Sequence, residues 1–528
     1  MHRIALCMLP VVLVMSCKEN SPLILALDPP VALPGEVVTI WGSNFGSDRN
    51  NSFITLDGNQ PVSSAYLAWT DTHIQLRVPE IGRSGLVFVY KDGKKSNPSL
   101  FAYADTIPQR TVEETVFIGP QIRSLEPSSG AVGSTITIAG SNFGTLREDG
   151  MVLFPSGMDP LGQEQLEASS SGAEYILWSD REIQVQVPDG AVSGNLTVRT
   201  AWGESEPVRF TLDRSLGDKV FTKRQSYLIT YTVDIQVRSA RAPNALYLWV
   251  PVPATAASQP QSELVSRDSI PFVENYQGTS LFRFNDLLSS DTKRINFSYL
   301  ITTYAVQTAL KVSAIPQNTA LSLPLSSPTA LIPSQDKRIS ALAQSLVGQE
   351  SNPYLKAQNL YQWLIKTIAM PLPARNRTVF EALDEQKTEA YSASLLFCAL
   401  ARSTGIQAIP LTGVLIDKNR AVFVHHWAEF WIDGFGWIPV DPALGAGAAP
   451  EYFELPEDTA AYYFGNIDSQ RIIFSRGELN HTALDPRGRR TKQAHEYALQ
   501  NYWEEATGDL EAYSSFWSDI QIVGIYNE

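Results

Sequence analysis

The chain has 528 residues, too many for one hydrophobic core, and its length points to three to five domains. With 44% apolar and 18% charged residues it has the composition of globular protein, which excludes a disordered chain. The net charge is −14, from 41 Lys and Arg against 55 Asp and Glu, and no basic block stands out, which argues against nucleic acid as a partner.

The first three residues, M-H-R, precede an apolar run, Ile4–Val14, and then Met15-Ser16-Cys17. A short basic segment followed by an apolar stretch too short to span a bilayer reads as an export signal over residues 1–17. V-M-S-C resembles a bacterial lipobox. The resemblance implies a lipid on Cys17, an exported lipoprotein of the cell envelope on a periplasm-facing or surface-exposed membrane, and that membrane as a partner. Three cysteines occur: Cys7 would leave with the signal, Cys17 would carry lipid, and Cys398 would remain alone. No disulfide and no cysteine metal cluster is then expected, and no motif calls for a cofactor.

After a short tether, an internal repeat sets the N-terminal architecture. L-P-G-E-V-V-T-I-W-G-S-N-F-G (33–46) matches A-V-G-S-T-I-T-I-A-G-S-N-F-G (131–144) at an offset of 98, and W-T-D-T-H-I-Q-L-R-V-P (69–79) matches W-S-D-R-E-I-Q-V-Q-V-P (178–188) at an offset of 109. The difference places an insertion in the second copy, within the polar stretch 155–174. Apolar and polar residues alternate in both copies (Val37, Thr39, Trp41; Ile136, Ile138; Ile183, Val185, Val187), the period of half-buried strands in a sandwich. With G-S-N-F-G and the D-P-P and E-P-S-S-G leaders, residues 24–104 and 119–212 resemble immunoglobulin-like IPT/TIG domains, which usually serve as spacers or binding modules.

Alternation returns from 226 to 312 in Y-L-I-T-Y-T-V-D-I-Q-V (227–237), A-L-Y-L-W-V-P-V-P (245–253) and I-N-F-S-Y-L-I-T-T-Y (295–304), which reads as a third β-sandwich behind a charged linker, 213–225. Beyond a Pro/Ser-rich stretch the period becomes helical over Asp336–Val347 and Pro353–Ile368, and Pro353 suits the first position of a helix. A third helix is expected over 390–403, burying Leu395, Leu396, Ala399 and Leu400 and stopped by Gly405. Strands follow at 407–413, 421–432 and 437–440.

Three motifs in this half carry chemistry: T-E-A-Y-S-A-S-L-L-F-C-A-L-A-R-S-T-G-I-Q-A (388–408), H-H-W-A-E-F-W (425–431) and G-W-I-P-V-D-P (436–442). Their order resembles the transglutaminase-like core, a papain-like α+β fold, over 336–450, with an aromatic-rich extension at 451–528. The overall expectation is therefore two IPT/TIG sandwiches, a third β-sandwich and a transglutaminase-like core. In that family a cysteine opens the helix that ends in R-x-x-G-I-x-A, a histidine stands in H-x-W-x-E and an aspartate in W-x-x-x-D-P. The resemblance maps the histidine to His425, the aspartate to Asp441 and the supporting pair to Trp427 and Glu429. Twelve residues before Arg402, where the nucleophile should stand, is Ala390.

A cysteine at a helix start is activated by unpaired N–H groups and the helix dipole, then by a histidine whose tautomer an aspartate fixes. Ala390 has no atom for that role. The substitutes within reach are Ser394, one turn on, and Ser392, both poorer nucleophiles, while Cys398 lies more than two turns in among apolar neighbours and reads as buried and inert. Neighbouring strand residues face opposite sides, so His425 and His426 cannot chelate one ion, and His426 is expected to point outward. Glu429 is expected as a structural acceptor, and Arg471 with Asp468 as a structural ion pair. The leading expectation is a pseudoenzyme that binds a peptide, protein or glycan in the old groove. The alternatives are an amidase or acyltransferase with another nucleophile, and a structural or adhesion lipoprotein.

Overall fold

A computed structural model describes residues 21–106, 119–157, 165–168, 174–316, 327–371, 377–492 and 496–527; the segment expected as an export signal and Cys17 lie outside the described residues. The chain forms two units, 1–116 and 117–528.

The first unit is a sandwich of two sheets. One runs in the order Leu23–Asp28, Val37–Ser43, His73–Arg77, Tyr66–Trp69; the other runs Val31–Ala32, Ser99–Tyr103, Gly85–Lys91, Phe53–Leu56. Val38 and Ile40 point into the core, and so Val37 and Trp41 of the same strand face solvent. Register decides this: a slip of one residue would exchange the two sets. The first glycine of G-S-N-F-G is required by close approach, since a Cβ on Gly42 would lie 2.0 Å from the Leu23 carbonyl oxygen. Asn44 then takes the left-handed region (φ 62°), which Asn tolerates, and the Trp69 indole N–H donates to the Phe45 carbonyl at 3.0 Å.

The second unit opens with the other repeat, built the same way: Gly140 meets the Gln121 carbonyl oxygen, Asn142 has φ 62°, and Trp178 donates to Phe143 at 3.1 Å. The insertion supplies an extra strand, Gln165–Glu167, paired with Met151–Pro155. This repeat is docked on the core domain. Val132 bridges to Gly434, and Asp189 accepts from the Trp437 N–H (3.2 Å) and pairs with Lys219 (2.5 Å), whose ammonium also donates to the Trp437 carbonyl (2.8 Å). Only glycine fits at Gly436, where a Cβ would sit 2.6 Å from the Asp189 carboxylate.

The third sandwich is organised by one long strand, Gly217–Pro251, antiparallel to Thr292–Leu310. The 213–225 segment, expected as a linker, therefore already belongs to a strand from Gly217 onward. Tyr227, Ile229, Tyr231, Val233, Ile235 and Val237 alternate into its core. The tail closes this sandwich: Glu504–Trp517 and Gln521–Asn527 both pair with the long strand. Buried Glu504 holds the returning strand by accepting from Tyr513 (2.8 Å) and the Trp517 indole (2.7 Å).

The core domain sets four helices against a four-stranded antiparallel sheet. Helix α1 (Lys337–Val347) is capped by Asp336, and α2 (Pro353–Thr367) by Asn352 with Pro353 in the first turn. Helix α3 (Val379–Glu385) starts with a capping box between Thr378 and Glu381, and α4 is Ala390–Ser403. The sheet order is Gly436–Val440, Val422–Ile432, Ala408–Ile416, Arg471–Arg476. Helix α4 is buried along almost its whole length, and Leu395, Leu396, Phe397 and Leu400 share one apolar core with Ala428, Phe430 and Ile432 of the sheet. The other face of the sheet packs Ile409, Leu411, Trp427 and Ile473 against Val306 of the sandwich. Both faces of the sheet are therefore covered. Among the described residues no helix is long and apolar enough to cross a membrane.

Candidate functional site

The strand Val422–Ile432 carries His425, and the strand beside it, Gly436–Val440, leads directly into Asp441, which caps the short helix Pro442–Gly445. Antiparallel pairing brings the two side chains together: His425 Nε2 lies 2.8 Å from Asp441 Oδ2. Because the carboxylate can only accept, Nε2 carries the proton, and in the neutral ring Nδ1 is then the acceptor. Among the described residues Nδ1 has no hydrogen-bond partner. The imidazole stacks on Trp427, with ring centroids 6.1 Å apart and planes 20° apart.

A guanidinium completes the arrangement. Arg471 Nη1 donates to the same Asp441 oxygen at 3.0 Å, while Nη2 reaches Asp468 at 2.5 Å and the guanidinium lies 4.9 Å from the Trp427 ring centroid. Burial alone would raise the Asp441 carboxyl, but His425, Arg471 and the Leu444 N–H outweigh it and hold the group down at about 2. The Asp468–Arg471 pair is thus more than a surface ion pair: it neutralises one side of a buried guanidinium whose other side holds the site aspartate. The two residues were legible only as opposite charges three apart. The bond to Asp441, thirty residues upstream, left no mark in the sequence.

Ala390 is the first residue of α4, as its alignment with the motif predicts. The helix start is capped by the Glu389 carboxylate, which accepts from the Ser392 N–H (3.3 Å) and pairs with Arg377 at 3.2 Å. Sequence reasoning gave neither Arg377 nor Glu389 a role in holding the helix start. Ser392 is buried, its hydroxyl lying 2.7 Å from Glu389, and Ser394 is buried with its hydroxyl donating to the Tyr391 carbonyl one turn back (2.8 Å). Neither serine bonds His425. Burial pushes the Cys398 thiol up to about 12 inside α4, which leaves it inert at physiological pH.

Glu429 accepts from Arg476 Nη2 at 2.8 Å, a structural contact on the same face as His425 and Trp427. His426 corrects the expectation of an outward ring. It faces α4, is 5% exposed, bonds the Thr412 hydroxyl through Nδ1 (2.9 Å) and meets Tyr391 edge-on with centroids 5.1 Å apart. Alternation placed it correctly on the face opposite His425, but that face is covered by the helix. Among the described residues no group of three or more His, Cys, Asp or Glu could hold a metal.

Burial drives the His426 ring down to about 3, with the neighbouring His425 adding to the effect, so the native state keeps it neutral. An unfolded histidine titrates near 6.5. Between these values the unfolded chain binds a proton that the native chain refuses, so stability falls as pH falls. From pH 6.5 to 5 this group alone should cost about 2 kcal/mol. Urea unfolding at the two pH values should show His426→Gln losing less than the wild type by about that amount.

Residues 340–442 match the family model of the transglutaminase-like superfamily, and residues 22–103 and 120–157 match that of the IPT/TIG domain. An uncharacterised protein of Haemophilus influenzae is 25% identical over 26% of this chain and 46% of its own length, so the chain spans about half of the curated relative it matches. Among solved structures, a candidate cysteine protease from Cytophaga hutchinsonii is similar at 15% identity over 59% of this chain and 93% of that one, with a TM-score of 0.37. SGBP-B from a xyloglucan utilization locus of Bacteroides uniformis is similar at 11% identity over 54% and 99%, with a TM-score of 0.15. The chain carries a transglutaminase-like domain over residues 340–442 together with N-terminal IPT/TIG domains.

Proposed function

We propose that this is an exported, lipid-anchored protein whose transglutaminase-like domain binds a peptide, protein or glycan ligand without turning it over. One observation carries the reading: the residue that opens α4 is Ala390, while the His425–Asp441 pair it would have served is assembled, buried and braced by Arg471. In acyl transfer of this type the thiolate forms the covalent bond, and the histidine and aspartate only move and hold a proton. Here the proton-handling half stands without the group that attacks. Neither serine near the helix start is free to replace it, because both hydroxyls are engaged inside the fold.

The ligand would meet an acceptor at His425 Nδ1 and so should bring an N–H or O–H donor. Residues 18–528, which retain every described residue, should release no product from peptide-library or acyl-transfer substrates. On peptide and glycan arrays they should retain a ligand that His425→Ala weakens by about tenfold, the worth of one hydrogen bond to a buried group. Turnover that His425→Ala abolishes would establish an amidase or acyltransferase instead. An array on which nothing depends on His425 would leave the domain a structural element of an envelope protein.

A further inference from the structure

The two IPT/TIG repeats share strand order and register, so most positions of one have a counterpart in the other, and one sheet face separates them. In the first repeat the outer side of the second sheet presents Val31, Leu100, Leu86, Phe88, Tyr90 and Phe53. Leu86 stands opposite Leu100, and these are 46% and 69% exposed; Phe53 stands opposite Tyr90, their rings stacked at 4.8 Å. In the second repeat Asn195 stands opposite Arg209, and Thr197 and Arg199 replace the two aromatics of the middle strand. Both of these bond Glu204, at 2.7 and 2.8 Å. The fold thus makes no demand for an apolar outer face, and a contiguous exposed apolar face marks an interaction surface.

Two further features say what covers it. The hairpin at the end of the middle strand reads K-D-G-K-K (91–95), three lysines and one aspartate in a chain of net charge −14. The Lys95 ammonium lies 3.5 Å from the Phe88 ring centroid and 5.7 Å from that of Tyr90, its stem covering the aromatic surface and its charge at the face. The hairpin is also tied to the start of the domain: the Asn97 side chain accepts from the Ile24 N–H (2.7 Å) and donates to the Ile24 carbonyl (2.8 Å). Ile24 lies seven residues beyond Cys17, a span of at most about 25 Å of extended chain.

We propose that this face of the first repeat rests on an anionic lipid surface, with the leucines and aromatics at the acyl boundary and the lysine hairpin among headgroup phosphates. The choice of a membrane rests on the lipid-anchored reading above, because a lipid on Cys17 would hold this edge of the domain within reach of the bilayer.

The test is sedimentation of residues 18–528, which lack Cys17, with vesicles of equimolar phosphatidylcholine and phosphatidylglycerol or of phosphatidylcholine alone. Binding should be at least about fivefold stronger to the anionic vesicles, and Lys95→Glu should weaken it by about the same factor. Leu86→Asn/Leu100→Gln should lower binding about tenfold without shifting the melting transition, since the second repeat tolerates polar residues at these positions. Equal sedimentation with and without phosphatidylglycerol, or wild-type binding by the double variant, would overturn the proposal. So would a wild-type dimer that ignores vesicles and dissociates in the double variant, which would make the face a contact between two copies. Acylation is read separately, as palmitate labelling in cells that Cys17→Ala removes. Absence of label from the wild type would sink the anchor and leave the vesicle result to stand or fall alone.

Discussion

Ala390→Cys in residues 18–528 is expected to give a thiol that iodoacetamide alkylates at pH 6 about tenfold faster than an ordinary surface cysteine of pKa about 8.5. The position is the first residue of a fourteen-residue helix, where N–H groups point outward and the dipole favours an anion. It stands on the helix whose next residue, Tyr391, touches His426 beside His425. A thiolate is also a weaker nucleophile as its pKa falls, so the gain in rate is smaller than the gain in thiolate fraction. Adding His425→Ala should return the rate to that of an ordinary thiol. Adding Glu389→Gln should raise it further, because a buried carboxylate at the helix start repels a neighbouring anion. The one remaining cysteine, Cys398, stays silent in this range, its thiol held up near 12. A single-variant rate equal to that of an ordinary thiol would mean that the surroundings of Ala390 have been rebuilt along with the residue, and that its catalytic ancestry says nothing about the ligand.

Arg471→Ala should destabilise the second unit by about 3–5 kcal/mol, the usual result of removing one partner from a buried ion cluster. It would leave the Asp441 and Asp468 carboxylates without the guanidinium that both now hold. The pH dependence carries the signature. In the wild type the folded Asp441 carboxyl sits at about 2, below its ordinary value of 3.8, so its stabilisation is present above 3.8 and lost as pH falls toward 2. Without Arg471 that carboxyl rises, and protonation removes the unpaired charge, so the deficit of the variant should shrink as pH drops below about 5. Urea midpoints followed by tryptophan fluorescence, with Trp427 under the guanidinium, would report both. Arg471→Met/Asp468→Asn should recover part of the loss, since an apolar side chain of similar length leaves one fewer charge unpaired. A deficit that does not change with pH would mean that packing on Trp427, not charge, is what Arg471 supplies.

What could be read from the chain alone follows from how local each signal is. Helix α4 was legible because Leu395, Leu396, Ala399 and Leu400 repeat at helical spacing and Gly405 stops it with a positive φ. The meeting of His425 and Asp441 was legible because adjacent antiparallel strands sixteen residues apart leave few registers. Helix α3 was missed: seven residues carry too few turns for a period, and its evidence is the Thr378–Glu381 capping box. The return of 504–527 to the long strand of the third sandwich was also hidden, because pairing across more than 250 residues is decided by the free edge and not by any local pattern. The error over His426 has the same origin. Period two tells which residues share a face, and only the tertiary fold tells whether that face sees water.

One carboxylate gives the second repeat a mechanical place in the molecule. Asp189 grips the backbone of Trp437 four residues before Asp441, and Lys219 closes the grip from the first strand of the third sandwich. A pull arriving along the chain from residue 119 would be taken up at that point, and the strand that leads into the site aspartate would bear it. The site strand and the second repeat thus behave as one mechanical element, and a load on either reaches the other through Asp189.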